Sequence, residues 1–260
     1  MIEATRVMDG VFVLMDRAGS CADLVIGERE ALLFDTCTGV DDLYAAVREL
    51  TDLPLRVINS HGHFDHTGGN AQFERASLHP EDMPLLDGYS SDQLEAWRRA
   101  LACMGEEEAS AVPAGQWGNT VPLEDHPFDL GGLPCRIVPL KGHTRGSVGV
   151  LVPSLRLLLA GDALSPIMCL MFSNHMSCED QRQTILQAMD LEFEVFLTGH
   201  DQRLLDKKLL SSMLRCVMQR GAKKGYHYEY PHPPYGKGLL YLEPTGEGVV
   251  ALICEDNGDG

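Results

Sequence analysis

Residues 61 to 66 read His-Gly-His-Phe-Asp-His, directly after a short apolar segment over residues 55–59 that predicts a β-strand. Four of these six side chains carry an imidazole or a carboxylate group, which are ligands that Zn²⁺ and Fe²⁺ bind in proteins. So many donors would be poorly used in an ordinary hydrophobic core. The run therefore predicts a catalytic metal centre on the loop that follows this strand.

Three further candidate ligands each follow a short apolar segment that predicts a strand. They are His143, Asp162 and His200. A glycine directly precedes each of them, which lets the backbone turn tightly at the site. The repeated order of strand, small residue and ligand places the donors at one edge of a sheet scaffold, where rigid elements can hold them.

The rest of the sequence alternates strands and helices. Apolar runs that are separated by Gly or charged residues predict the strands, and apolar residues at helical spacing predict the helices. Strands followed by helices, twice over, predict two similar α/β halves packed sheet to sheet. The predicted strands are residues 5–16, 22–27, 31–35, 55–59, 128–130, 135–139, 148–152, 155–159, 194–197, 238–243 and 249–254, and the predicted helices are residues 40–50, 177–189 and 204–220.

The middle of the chain departs from this alternation. Residues 80–110 are polar and helical in pattern, with apolar side chains on one face of residues 92–104, and residues 111–119 are rich in Gly and Pro. We therefore expect a single domain over residues 1–260, with a helical, lid-like insertion at about residues 80–119.

The composition bounds the partners. Lys and Arg number 21 and Asp and Glu 38, for a formal charge of −17. A negative field repels phosphate backbones, so nucleic acid is not an expected partner. Nothing in the sequence resembles a signal peptide or reaches membrane-spanning length. We expect a cytoplasmic protein that acts on a small molecule and does not bind membranes. The sequence leaves open whether it forms a homodimer.

The eight cysteines contain no Cys-x-x-Cys pair, so a zinc ribbon or a thioredoxin-type motif is not expected. We predict reduced, mostly buried thiols rather than disulfides.

With its four ligand segments in order, the chain resembles the metallo-β-lactamase superfamily. The order and approximate separations of the segments match from the first strand to His200. The resemblance implies an α+β fold, an αββα four-layer sandwich of two mixed β-sheets flanked by helices, with a metal pair at the sheet edge. The matching segments are His61-Gly-His63-Phe-Asp65-His66, Gly142-His143-Thr-Arg-Gly-Ser147, Gly161-Asp162 and Gly199-His200.

The resemblance also implies a set of seven ligands for two divalent metal ions. Zn²⁺ is the expected metal, and Fe²⁺ and Mn²⁺ accept the same ligands. A bridging hydroxide would attack a carbonyl or phosphoryl centre, which makes the bridging Asp162 and the proton-carrying Asp65 the predicted catalytic residues. The first ion would be held by His61, His63 and His143, the second by Asp65, His66 and His200, and both by Asp162.

The resemblance favours a dinuclear hydrolase of a small carboxylic ester, thioester or lactone. Asp162 sets the chain apart from true β-lactamases and makes it more similar to glyoxalase II and lactonases. Ser165 stands where lactonases of acyl-homoserine rings carry tyrosine, which argues against that substrate. The alternatives are a phosphodiesterase, which the acidic charge disfavours, and an iron-dependent persulfide dioxygenase, which needs fewer ligands than the seven present.

Several neighbouring residues have two interpretations each. Lys141 and Arg145 replace two prolines of the superfamily pattern, and either place positive charge at the site mouth or form surface ion pairs, which we favour. His175 and the methionine-rich residues 165–176 either line the substrate pocket or pack structurally. Asp35 resembles a position that supports the metal site, and it is equally a strand-ending cap.

Overall fold

The structure, a computed structural model, describes residues 1–89, 117–220, 222–229, 237–246 and 248–255. Most of the predicted insertion, including the helix expected over residues 92–104, lies outside the described residues.

The first half of the chain forms a seven-stranded mixed sheet. Its strands are β1 Glu3–Met8, β2 Val11–Met15, β3 Cys21–Ile26, β4 Ala31–Phe34, β5 Leu55–Ile58, β6 Ala76–Leu78 and β7 Thr120–Pro122. They pair in the order β1 to β7, antiparallel as far as β4 and parallel from there on. Within the described part of this half, the α-helices are α1 Leu43–Leu50, α2 Phe64–Thr67 and α3 Met83–Asp87.

The second half forms a six-stranded sheet and a smaller, four-stranded one. Its elements are β8 Phe128–Asp129, β9 Pro134–Pro139, β10 Val148–Val152, β11 Leu157–Leu159, β12 Ile167–Leu170, α4 Cys178–Met189, β13 Val195–Thr198, β14 Asp201–Asp206, α5 Leu209–Val217, β15 Tyr226–Glu229, β16 Lys237–Pro244 and β17 Val249–Glu255. The six-stranded sheet has the order β14-β13-β11-β10-β9-β8, and the small sheet β12-β17-β16-β15.

The two large sheets pack face to face. In β10, Val148 and Val150 enter the core between the sheets, whereas Leu151 points to the opposite side of its sheet. This alternation with both faces buried is expected of a central strand. Leu43 and Val47 of α1 cover the outer face of the first sheet, and α4 and α5 cover the second. The predicted αββα sandwich is confirmed.

The small sheet was not predicted. Its strands β16 and β17 match the two expected tail strands, and β15 pairs with β16 at the edge of the sheet. Their partner β12 lies in residues 165–176, which were assigned no element. Since β12 pairs in parallel with β17 across 80 residues of chain, no local pattern indicates it.

Two predicted elements are corrected. Residues 5–16 form two strands rather than one, because the chain reverses at Gly10, which has a positive φ of 69°. The helix predicted over residues 204–220 begins only at Leu209. The preceding residues form β14, whose Leu205 pairs with Phe196 of β13. Sheet pairing at this edge overrides the helical preference of the leucines.

The helix α4 begins as predicted. The Ser177 hydroxyl accepts a hydrogen bond from Asp180 N, and the Asp180 carboxylate accepts from Ser177 N. This reciprocal capping box satisfies two amide groups that the first turn leaves without a partner.

The seven cysteines within the described residues form no disulfide, and six of them are buried, as predicted. None of the described helices is long and apolar enough to cross a membrane.

Candidate metal centre

The four ligand segments meet at one edge of the sandwich. The strands β9, β11 and β13 run in the same direction, because β9 and β11 are both antiparallel to β10 and β11 is parallel to β13. Their carboxyl ends therefore lie together, and His143, Asp162 and His200 follow them. The end of β5 reaches the same edge, where Val148 N donates a hydrogen bond to Ser60 O at 2.8 Å.

We had expected the whole first motif to lie on a loop, but the structure shows that only its first part does. His61 and His63 follow β5 in extended chain, but α2 begins at Phe64 with His63 as its N-terminal cap. Asp65 and His66 therefore lie in the short helix. One helical turn directs them away from His63, which is how a six-residue segment supplies donors to two places.

Three histidines form the first ligand cluster. Nε2 of His61 is 3.0 Å from Nδ1 of His63, which is 3.0 Å from Nε2 of His143. All three side chains are buried. Donors bound to one tetrahedral Zn²⁺ at its usual bond lengths lie about 3.3 Å apart. The three nitrogens therefore have nearly the spacing of ligands to a single ion.

The contacts behind the rings fix their tautomers. Nε2 of His63 is 3.2 Å from Ser173 O, and Nδ1 of His143 is 2.8 Å from Cys169 O. A carbonyl oxygen only accepts hydrogen bonds, so these nitrogens carry the protons of the neutral rings. The opposite nitrogens, which converge on one another, carry lone pairs.

In His61, too, the ring nitrogen that faces away from the cluster carries the proton. Two successive hydrogen bonds set this tautomer. Nδ1 of His61 is 2.8 Å from the Ser60 hydroxyl, which itself donates to Asp35 Oδ2 at 2.8 Å. The hydroxyl therefore accepts from Nδ1–H, and the lone pair of His61 is on Nε2. Three lone pairs directed at one another are the arrangement that a cation satisfies.

Four residues form the second cluster, beside the first. Asp162 Oδ2 is 3.4 Å from Nε2 of His200 and 3.7 Å from Nε2 of His143. Asp162 Oδ1 is 3.6 Å from Nε2 of His66. Asp65 Oδ2 is 3.7 Å from Nε2 of His66 and 3.6 Å from Nε2 of His200. The Asp162 carboxylate thus contacts donors of both clusters.

These separations are too long for good hydrogen bonds. Nε2 of His66 and Oδ1 of Asp162 are both buried, and neither has a hydrogen-bond partner among the described residues. Buried polar atoms without partners are costly. Together with the mixed imidazole and carboxylate chemistry, the two atoms show that the residues fit a divalent ion. The structure brings all seven predicted ligands together in overlapping groups.

Burial controls the protonation of the first cluster. It holds the pKa of His61 well below its usual range, and it lowers the pKa of His143 to about 4, with the neighbouring histidines acting in the same direction. Both rings are therefore neutral at pH 7, which is the form that binds a metal.

The carboxylates control the second cluster. Loss of solvent would lower the pKa of His66, but the charges of Asp162, Asp65 and Asp35 outweigh it and raise that pKa. Burial would also lower the pKa of His200, but the charge of Asp162 outweighs burial and raises this pKa to about 9. Burial would raise the pKa of Asp162, but His200 and His66 hold it well below the usual range. The carboxylates thus attract positive charge, from protons when no cation is present.

This contrast predicts that cations at the two clusters would bind with different proton release. A cation at the first cluster would meet neutral histidines and release few protons at pH 7. A cation at the second cluster would have to displace protons from His66 and His200, so its affinity should rise by about tenfold or more per pH unit between pH 7 and 9. Calorimetric titration of metal-free protein in two buffers of different ionisation enthalpy measures both quantities. Equal proton release in the two steps would contradict the assignment.

Asp35 supports both clusters, which favours the supporting role over a simple cap. Its carboxylate accepts from Ser60 N at 2.6 Å, from the Ser60 hydroxyl, and from His66 Nδ1 at 2.9 Å. It thereby orients His66 directly and His61 through Ser60. Asp35 adopts a left-handed φ of 71°, a conformation that aspartate tolerates better than most residues.

Asp82 was not predicted, and it connects three loops of the site. Its buried carboxylate accepts from Gly62 N and Gly146 N, each at 2.9 Å, and from Thr144 Oγ1 and Asn174 Nδ2, each at 2.6 Å. Gly62 lies between His61 and His63, and Thr144 follows His143. Asp82 therefore sets the distance between the two loops that carry the first cluster. An aspartate in a polar stretch carries no sequence signal of that role.

The glycine that precedes His200 is required by close approach. A Cβ atom at Gly199 would overlap Asp162 Oδ1 and His66 Cε1. The small residue is needed here because two ligands lie directly above the backbone.

The flanking residues have different roles. Lys141 forms an ion pair with Glu81 at 2.6 Å, as the surface-pair interpretation expects. Arg145 and His175 line a cavity of about 540 Å³ beside the start of α4, and Nε2 of His175 is 3.5 Å from Glu255. In residues 165–176, Met168 and Leu170 pack in the main core on one side of the small sheet. Cys169 and Met171 are also buried, but they belong to a separate, smaller hydrophobic cluster.

The described ends of the predicted insertion contact each other near the site. The rings of Tyr89 and Trp117 are 5.9 Å apart, and Tyr89 is 6.3 Å from Phe64 of α2. Trp117 Nε1 donates to Thr67 O at 3.2 Å. The insertion therefore leaves and rejoins the fold beside the helix that carries Asp65 and His66.

Comparison with known proteins supports this description. The sequence pattern of the metallo-β-lactamase superfamily matches residues 17–200. Among solved structures, a metallo-β-lactamase from Pontibacter korlensis is similar with a TM-score of 0.60 and 17% identity, covering 84% of this chain and 99% of that one. The chain belongs to the metallo-β-lactamase superfamily.

Curated proteins that are named acyl-coenzyme A thioesterases are similar to part of this chain. It is 25% identical over 184 residues to the acyl-coenzyme A thioesterase MBLAC2 of Homo sapiens, covering 60% of this chain and 64% of the relative. It is 26% identical over 221 residues to the protein of the same name from Gallus gallus, covering 74% and 77%. The match to the human relative thus spans less than two thirds of that protein's length.

Proposed function

We propose that this chain hydrolyses acyl thioesters, with acyl-coenzyme A as the substrate class, at a centre of two divalent metal ions, Zn²⁺ foremost. The observation that carries the proposal is the pair of ligand clusters that meet at Asp162. The name of the relatives supports the thioester over other substrates.

The reaction divides between the metal centre and the protein. Bound divalent ions would supply water with a pKa lowered to about 7 and would polarise the thioester carbonyl. His61, His63 and His143 would hold the first ion, Asp65, His66 and His200 the second, and Asp162 both. Asp35 and Asp82 keep these donors in position.

Access to the site is from the side of the second cluster. The side chains of Asp65 and His200 are 22% and 41% exposed, whereas the first cluster is buried. Phe172 covers His63, with 5.7 Å between ring centroids. The thioester would therefore approach past Asp65, which is the described carboxylate best placed to pass a proton to the leaving group.

A thioester suits such a site. A thiol has a pKa of about 8.5, so its thiolate departs without full protonation, and one partly exposed carboxylate is sufficient. An alkoxide leaving group is more basic and would need a group at this position that holds its proton at pH 7.

The test is hydrolysis of a substrate panel by protein of known metal content. Acetyl- and lauroyl-coenzyme A, a lactone, an aryl ester and a bis-phosphodiester are compared, with release of free thiol followed for the thioesters. We expect selective thioester hydrolysis that is lost on chelation and restored by Zn²⁺, with about two ions per chain. Selective turnover of the phosphodiester, or full activity without metal, would overturn the proposal.

A further inference from the structure

The small sheet exposes an unusual apolar face. The exposed fraction is 59% for Ile167, 41% for Leu242, 53% for Val249 and 68% for Tyr226. Large exposed apolar side chains that lie together usually mark a binding surface.

The strand register shows that these residues share one face. Ala251 pairs with Ile167 of β12 on one side and with Leu242 of β16 on the other, and directly paired residues point the same way. Val249 is two residues before Ala251 on β17, so it also shares this face. Tyr226 pairs with Leu240, two residues before Leu242. We call this set of residues the outer face.

The opposite face of the sheet is not available for binding. Tyr241, Val250 and Leu252 point away from the outer face and pack against Leu210 and Met213 of α5. The sheet is therefore apolar on both sides. Packing explains the inner face and the buried Cys169 and Ile253, but it does not explain the exposed apolar residues Ile167, Leu242, Val249 and Tyr226.

The outer face is continuous with the metal centre. Cys169 and Ile253, which pair across β12 and β17, cluster with Met171 and contact Phe172. The Phe172 ring is 5.7 Å from the His63 ring and 6.1 Å from the His143 ring. Cys169, Met171 and Ile253 are buried, and the half-buried Phe172, Tyr228 and Leu240 pack against them. These half-buried side chains form an apolar row that connects the first ligand cluster to the exposed Leu242, which is two residues beyond Leu240 on β16.

We propose that the outer face binds the acyl chain of the thioester, an inference that rests on the proposed function. The carbonyl must lie at the metal centre, and the apolar row begins there, so the chain attached to the carbonyl is the group that can follow it. The sheet is about 14 Å wide, from three spacings between neighbouring strands. The site therefore takes unbranched, medium to long acyl groups.

Other occupants fit the observations less well. The net charge of −17 disfavours docking of the face on an anionic membrane. A second copy of the chain on this face would cover Phe172, where the apolar row meets the first ligand cluster, and would exclude the acyl chain from it. Both are outcomes that the experiment can detect.

The experiment compares chain-length preference in an outer-face variant and a matched control. The double variant I167Q/L242Q makes two exposed positions polar without opening a cavity, and M218Q changes an apolar residue that is 58% exposed at the end of α5, outside this face. The measurement is kcat/KM for acetyl-, octanoyl- and lauroyl-coenzyme A, below their micelle concentrations, for holoenzyme. We expect the lauroyl to acetyl ratio to fall about tenfold in I167Q/L242Q and to stay at the wild-type value in M218Q.

The outcomes separate this inference from the proposed function. An unchanged lauroyl to acetyl ratio in I167Q/L242Q overturns the acyl site. The acyl site is also overturned if the double variant changes only the oligomeric state of the protein or its sedimentation with phosphatidylcholine vesicles. If wild-type protein hydrolyses no thioester, the proposed function fails. Calorimetry with the dodecyl-coenzyme A thioether then decides the inference: binding that is tighter than for the ethyl thioether and weakened in the double variant supports the acyl site, and equal binding overturns it.

Discussion

Replacing Asp162 with asparagine is expected to lower kcat/KM at least about 100-fold while the protein stays folded. The substitution keeps the size of the side chain but removes the charge that attracts cations to both clusters, and an amide nitrogen cannot act as a ligand. Loss of a group that merely supports a ligand costs up to about 100-fold in metal affinity or activity, so loss of a shared ligand should cost more. Steady-state kinetics with metal analysis of the purified variant measures the effect.

The control is Asp190→Asn, which makes the same chemical change at an exposed position at the end of α4. It should retain wild-type metal content and rate. Circular dichroism and the midpoint of thermal unfolding establish that both variants are folded. A D162N enzyme that binds two ions and turns over at the wild-type rate would show that the two clusters do not act through this carboxylate.

Replacing Asp82 with alanine is expected to cost about 3–5 kcal/mol of unfolding free energy. The buried carboxylate accepts hydrogen bonds from Gly62, Gly146, Thr144 and Asn174. The variant would leave the backbone N–H groups of Gly62 and Gly146 buried without this partner. Urea denaturation of metal-free protein gives the change in free energy without a contribution from metal binding.

Loss of Asp82 should also weaken the first metal cluster, since Gly62 and Thr144 belong to the loops that carry its histidines. The affinity for the first ion, measured by competition with a chromophoric chelator, should fall by about 10- to 100-fold. The matched control is Asp87→Ala, an exposed position of the same segment, which should change stability by less than about 0.5 kcal/mol. Unchanged affinity in D82A would mean that the loops keep their spacing without this residue.

The ligand positions could be predicted because each is a local pattern. An apolar strand that ends in a small residue and a donor is visible in a few letters, as at His143 and His200. The packing of two sheets was predictable because strands followed by helices, twice over, indicate two α/β halves, and the continuous apolar run of β10 fits a strand that is covered on both faces. Such features can be recognised from the neighbouring residues in the sequence alone.

The residues that support the ligands could not be predicted in this way. Asp82 acts on loops that are 20 and more than 60 residues distant in sequence, and Ser60 connects Asp35 to His61 only because two strands lie side by side. Their side-chain types are common in polar stretches. Only folding decides which of many aspartates and serines become buried beside a ligand.

The strands β14 and β12 show the same limit for secondary structure. Leu204 and its neighbours suit a helix by composition, yet their backbone completes the edge of the second sheet at β13. The short strand β12 is stable only where β17 returns to pair with it. Strand formation depends on a partner that local sequence does not reveal.

The amino-acid sequence alone determined the fold class, the seven donor side chains and the acidic character of this protein, because these follow from side-chain chemistry and short-range periodicity. The tertiary structure decided which ring nitrogens carry lone pairs, which carboxylates hold the loops at their separation, and where an apolar surface joins the ligands. These properties depend on contacts between distant segments, and burial and hydrogen bonding in the folded chain set their energies.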